Sequence, residues 1–341
     1  MATVIARQFA VTTAKVFAQR GSSFQSPPAG LRDYRGAALV AADVVERITG
    51  FALDPSSLVI EGVDRQGWAE RNIDSYAALI QELTPRDRPN SIGMAELNGV
   101  ALGILLGNFS GKVLGQYDPA FVTGSPAVWM VDDNVDRFAH NASLDPDEVA
   151  LWVLVHELTH RGQFHGVPWF RERLLGLMTQ LFRASSISPV DLLGDLFARL
   201  RGLGSGQPVD VATLLLPERL RSVAQDATTI MTVAEGHAEW VMRQVPTTVV
   251  PHREAFEGAI DARRNASGVA KLVAELSGLA SKRSQYSLGL RFFEAIAEVD
   301  VEAPRRVFSA PPALPTAEEL REPTRWLRRM SLDGAPAGRP S

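Results

Sequence analysis

The sequence contains no cysteine in 341 residues. That excludes a disulfide framework, a thiolate zinc ribbon and a thiol nucleophile, so any metal must be held by histidine and carboxylate. Charge of one sign is also scarce: 35 Lys and Arg stand against 39 Asp and Glu, a formal net charge of −4. Without clustered basic residues there is no electrostatic footprint for a nucleic-acid partner. Long apolar runs are missing as well. The longest uncharged stretch, Leu97 to Gly111, is broken by glycines and two asparagines, and it is too short and too polar for a membrane span. Arg7, Lys15 and Arg20 interrupt the first residues, leaving no apolar core for a secretory signal. A cytoplasmic protein with no membrane partner is expected.

What is present suits a globular chain, with 45% hydrophobic and 22% charged residues and ample material for a core. Helical spacing predominates. It runs over Asp33–Arg47, Trp68–Leu83, Leu97–Gly111, Trp169–Arg183, Pro189–Leu200, Pro217–Arg243, Ala255–Arg264, Ala270–Leu279 and Ser284–Val299. Ser57–Val63 and Val128–Val131 read as short strands. Gly99, Gly103 and Gly107 recur at helical intervals; each glycine costs about 1 kcal/mol against alanine, which close packing has to offset. The expected fold is mainly α, a helical bundle with a small sheet around one buried helix. The expected organisation is an N-terminal segment 1–32, a helical lobe 33–110, a core 111–331 and a flexible tail 332–341, with the lobes in one compact unit.

The segment SLDPDEVALWVLVHELTHRGQF, Ser143 to Phe164, carries the chemistry. Asp145 can cap, Pro146 suits the first helical position, and Glu148 stands where a capping-box carboxylate reaches back. Val149 to Val155 is apolar all round, as in a buried helix. His156 and His160, at i and i+4, project from one face a turn apart, and Glu157 neighbours the first. Two imidazoles with a third protein ligand leave a position on zinc for water, whose pKa falls toward ~7, and Glu157 can take its proton as general base. The alternative is a pair of core histidines beside a buried carboxylate.

The third ligand has to come from elsewhere, because Gln163 and Gly166 stand where the metzincin extension needs glycine and histidine. His165 reads as a helix-end or surface histidine. In MTVAEGHAEWVM, Met231 to Met242, an apolar stripe of Met231, Ala234, Ala238 and Met242 has Glu235 beside it. A carboxylate there is costly unless paired or metal-bound, which makes Glu235 the candidate ligand; the alternative is that Glu235 and Glu239 are solvated helix charges. Glu239, one turn on, is a candidate to support a ligand histidine. His237 is an alternative ligand or a transition-state donor. Tyr117, Tyr286 and His252 are further donor candidates, each with an ordinary structural role as the alternative.

These residues resemble a bacterial family of zincin-like, zinc-dependent metallopeptidases, some of whose members carry a label for deazaflavin-coenzyme biosynthesis. The resemblance spans roughly Ala37 to Arg329. It is carried by VDRQGWAERN (Val63–Asn72), VLGQYDPA (Val113–Ala120), LWVLVHELTHRGQF (Leu151–Phe164), Pro168–Trp169 and EGHAEWVM (Glu235–Met242). The spaced set Lys282, Gln285, Tyr286, Gly289 and Phe292 and the segment PTRWLRR (Pro323–Arg329) complete it. It implies a mostly helical zincin-like core, with His156, His160 and Glu235 as metal ligands and Glu157 as the catalytic carboxylate. The chain departs from the general zincin consensus at Arg161 and Gly162. The expected function is that of a zinc-dependent metallopeptidase acting on a peptide or small amide, with manganese or iron as alternative ions. The competing functions are a zincin-shaped scaffold without catalysis and a metal-dependent amidase or esterase for non-peptide substrates.

Overall fold

The computed structural model describes residues 4–19, 30, 32–54, 57–84, 93–121, 126–184, 218–266 and 288–333. The expected helices at Pro189–Leu200 and Ala270–Leu279 lie outside them, as do Tyr286 and residues 334–341 of the expected tail. The described chain is mainly helical. Helices α1 (Arg7–Ala18), α2 (Arg35–Thr49), α3 (Arg65–Leu83) and α4 (Met94–Ser110) form the first half. Then come α5 (Asp132–Ala142), α6 (Pro146–His165), α7 (Pro168–Ala184), α8 (Glu218–Gln244) and α9 (Arg253–Ala266). Helix α10 (Leu288–Val299) and the short α11 (Ala303–Arg306), α12 (Ala317–Arg321) and α13 (Pro323–Asp333) close the chain. No helix among the described residues is long and apolar enough to cross a membrane.

One sheet of three strands lies among these helices: β1 (Val59–Val63), β2 (Gly115–Asp118) and β3 (Ala127–Val131), in the order β1-β3-β2. β1 runs parallel to β3, with Val59 opposite Ala127, and β2 runs antiparallel, with Gly115 opposite Met130. All five residues of β3 are buried, as its central place requires. β2 escapes sequence reading because GQYD is short and carries no alternation of apolar and polar residues.

The glycine stripe of α4 has a clear packing purpose. A Cβ at Gly99, Gly103 or Gly107 would lie 2.5, 2.4 or 2.7 Å from the carbonyl oxygens of Ala6, Ala10 and Ala14. The backbones of α1 and α4 therefore meet through small residues. Contacts also cross residue 110. A Cβ at Gly162 would lie 2.3 Å from Phe51 Cδ2, so the departure from the zincin consensus at this position admits a ring from the chain just beyond α2.

Helix α6 is set as its sequence foretells, with one exception. Asp145 accepts from the N–H groups of Asp147 and Glu148 at 2.7 and 3.2 Å, and Pro146 opens the helix. Glu148 does not close a capping box; its carboxylate instead takes the His252 N–H at 2.7 Å and Nδ1 at 2.9 Å. His252 is thereby held at the N-terminal end of α6, two turns before the histidine pair. Val149, Ala150, Trp152, Val153, Leu154 and Val155 are all buried. On α8, the stripe of Met231, Ala234, Ala238 and Met242 is buried too. Gly236 meets Gly289 of α10 so closely that an added Cβ would sit 2.3 Å from its carbonyl carbon, which fixes the turn of α8 that bears Glu235.

Candidate metal centre

Packing α8 across α6 brings His156, His160 and Glu235 together, with one ligand atom from each within 4.8 Å of the others. The two histidine Nε2 atoms lie 3.1 Å apart, and the Glu235 oxygens lie 3.6 Å from His156 Nε2 and 3.4 Å from His160 Nε2. Donor atoms on a tetrahedral zinc at ~2.0–2.1 Å stand about 3.3 Å from one another, so these separations suit one small cation. The side chains of His156 and Glu235 are 23% and 29% exposed, which leaves the group open to solvent. Among the described residues no fourth histidine or carboxylate joins them.

The outer nitrogens decide what the inner ones offer. His160 Nδ1 lies 2.9 Å from Gln163 Oε1, and an amide oxygen only accepts, so Nδ1 carries the hydrogen. His156 Nδ1 lies 3.2 Å from Met242 Sδ, also an acceptor. In neutral rings both Nε2 atoms then present lone pairs, and they face each other and a carboxylate. Three converging acceptors repel unless a cation lies among them, so the donor set fits a divalent metal. Without one, a proton on His160 supplies the positive charge instead. Burial opposes the His160 imidazolium, yet the charge and hydrogen bond of Glu235, aided by Glu157, hold its pKa at about 9. Burial likewise opposes ionisation of Glu235, but His160 and His156 hold its pKa well below the usual carboxylate range.

Gln163 is the residue that sequence reading overlooks. Its Nε2 donates to Ala234 O at 2.9 Å and meets His237 Nδ1 at 3.1 Å, so one buried amide ties His160 to the backbone of α8 beside Glu235. Its position one turn beyond His160 is the available signal, but its partner helix, α8, lies far away in the sequence. Met242 takes a comparable place behind His156. Gln163 and Met242 thus occupy the supporting positions expected of Glu239, which is half-buried and lies near enough to Glu294 to help raise that carboxyl's pKa after burial itself. Gln163→Leu is expected to weaken zinc binding by about 10–100-fold, with Gln163→Glu weakening it less, as measured by competition with a chromophoric chelator.

Glu157 is buried beside the group, with Oε2 accepting the Tyr117 N–H at 2.7 Å. That N–H belongs to the edge strand β2. Gly115 lets the strand approach α6 here, since a Cβ would lie 2.6 Å from Val153 Cγ1. The Tyr117 hydroxyl meets His165 Nδ1, and burial pushes its pKa up. His237 does not point at the ligand group. It sits among Phe51, Trp240, Phe293 and Phe308, and burial, with His160 nearby, lowers its pKa to about 3.

Comparison with known proteins shows the family. A family model described as zincin-like metallopeptidase matches residues 5–327. A crystal structure from Chloroflexus aurantiacus, described as a presumed hydrolase with a novel fold, is similar with a TM-score of 0.68 and 26% identity. The match covers 97% of this chain and 100% of that one. No curated protein matches the chain.

Proposed function

The chain belongs to the zincin-like metallopeptidase family, and from that premise we propose that it is a zinc-dependent hydrolase that cleaves amide bonds in peptides. The observation that carries this reading is the convergence of His156, His160 and Glu235 within 4.8 Å, open to solvent and with Glu157 alongside. His156, His160 and Glu235 hold the ion. When bound, zinc supplies Lewis acidity, polarising a carbonyl and lowering the pKa of a water toward ~7.

The protein's own residues do the rest. Gln163 and Met242 fix the ring orientations of the two histidines. The Tyr117 N–H holds the Glu157 carboxylate in place, and Glu157 takes a proton from the attacking water and passes it to the leaving amine. A hydroxyl or imidazole donor to the developing oxyanion is not supplied by His237, whose ring is enclosed by aromatics.

Incubation with a library of quenched fluorescent peptides tests the reading. Cleavage is expected, abolished by 1,10-phenanthroline and restored by added zinc. A zinc-loaded chain that cleaves ester or non-peptide amide substrates but no peptide contradicts the peptidase assignment. One that cleaves none of these contradicts the hydrolase assignment.

A further inference from the structure

Beyond the metal group, a cleft of about 250 Å³ opens at the junction of β2, the end of α6 and the start of α7. Pro119, Ala120, Phe164, His165, Arg171 and Glu172 line it. It adjoins the metal centre. Phe164 forms one wall, with its ring 6.3 Å from that of His160, and Tyr117, whose N–H holds Glu157, touches His165 through its hydroxyl. Neighbouring residues of one extended substrate, about 3.5 Å apart, can reach both places.

Arg171 and Glu172 line the cleft, and Arg161 lies behind it, near His165. Arg171 donates from Nη2 to Phe121 O at 3.3 Å and lies over the Phe121 ring at 5.3 Å, but its Nε is buried without a hydrogen-bond partner. Arg161 stands at i−4 from His165 on the same face of α6 and is 8% exposed. Its Nη2 reaches Asp54 O and Ser57 Oγ at 3.2 and 2.8 Å, while its Nη1 is buried with no partner. Neither guanidinium has a carboxylate partner among the described residues.

Among the described residues, the nearby acids form no ion pair with either guanidinium. Asp118 is buried and accepts from Ala120 N at 2.9 Å and Ser75 Oγ at 3.2 Å. Glu172 is exposed at the rim. After burial, Arg161 and Arg171 are what lower the His165 pKa, in keeping with a cationic surrounding. Buried guanidinium groups are costly without a counter-charge, and Arg recognises carboxylates through directed N–H groups.

We propose that this cleft is a carboxylate-recognition subsite in which Arg171, backed by Arg161 and His165, holds an acidic group of the substrate next to the cleavage site. That the bound group belongs to a substrate beside a cleavage site rests on the hydrolase reading; binding of the carboxylate does not. The group is either the side chain of an acidic residue or the C-terminal carboxylate of a short peptide.

Titration calorimetry on the full chain as purified, repeated after dialysis against EDTA, decides it. The probes are N-acetylglutamate N-methylamide for the side-chain source, N-acetylalanine for the terminal source and N-acetylglutamine N-methylamide as the neutral match. At least one carboxylate is expected to bind ten-fold or more tighter than the neutral probe, and the one that does identifies the source. Arg171→Gln is expected to remove that preference and Arg171→Lys to keep part of it. Carboxylates that bind the wild-type chain no better than the neutral probe overturn the proposal, and this comparison needs no variant. Equal carboxylate binding by a folded Arg171→Gln chain overturns it too. A Glu157→Gln chain that still hydrolyses peptides would sink the catalytic reading while leaving this result intact.

Discussion

Glu157→Gln is expected to lower peptide hydrolysis by about 10²–10⁴-fold while zinc content stays at the wild-type level. The substitution keeps shape and keeps an acceptor oxygen for the Tyr117 N–H, which Glu157 now meets at 2.7 Å. What it removes is the carboxylate that accepts the proton. Glu157 also lies outside the group of side chains whose ligand atoms converge, so its loss leaves the three donors in place. Steady-state rates and metal content measured on the same preparation separate the two effects. Wild-type turnover by the variant would exclude Glu157 as the general base. A parallel loss of zinc would make it a structural support of the site.

His160→Ala is expected to empty the centre, with zinc affinity falling by well over 10²-fold. His160 is the most enclosed of the three side chains, 10% exposed against 23% for His156 and 29% for Glu235. It is also the one tied to α8 through Gln163. Its removal deletes a donor and leaves the Gln163 carbonyl oxygen without its ring partner. Glu235→Ala is expected to have a similar effect on zinc for a different reason. It takes away the one negative charge in the donor set and leaves two imidazoles with Nε2 atoms 3.1 Å apart. Elemental analysis of each purified variant, with thermal melts to confirm folding, reads both results. Full zinc occupancy in either variant would show that the ion sits elsewhere.

The parts of this architecture that were legible in the sequence are those whose cause is local. Asp145 and Pro146 start α6, and an uninterrupted apolar run buries it, all within one stretch of chain. His156 and His160 share a face because 3.6 residues make a turn. Glu235 could be singled out because a carboxylate beside the Met231–Met242 stripe conflicts with burial. The glycines of α4 announced close packing, though only the fold shows that α1, left within an N-terminal segment by the sequence reading, is what packs there.

The parts that stayed hidden depend on elements far apart in the chain. β2 exists because β3 offers it an edge, and four residues of mixed polarity carry too little pattern to reveal it. Helix α5 displays its apolar spacing only at Val135, Phe138 and Ala139 amid polar residues. Gln163 acquires its role only when α8 brings Ala234 and His237 against it. His237, adjacent to the Glu235 turn and chemically suited to metal, is diverted by an aromatic enclosure assembled from the chain after α2 and from α10 and the residues beyond α11. Arg161 and Gly162 mark departures from a motif in sequence. In the fold Arg161 donates to Asp54 O and Ser57 Oγ, and Gly162 admits Phe51.

A crystal of the zinc-loaded chain, with diffraction recorded on both sides of the zinc absorption edge, tests the central claim most directly. A single anomalous peak is expected between His156 Nε2, His160 Nε2 and Glu235, about 2.0–2.2 Å from each, with one further position facing solvent. A map with no peak there, or with the peak bound by other side chains, contradicts it.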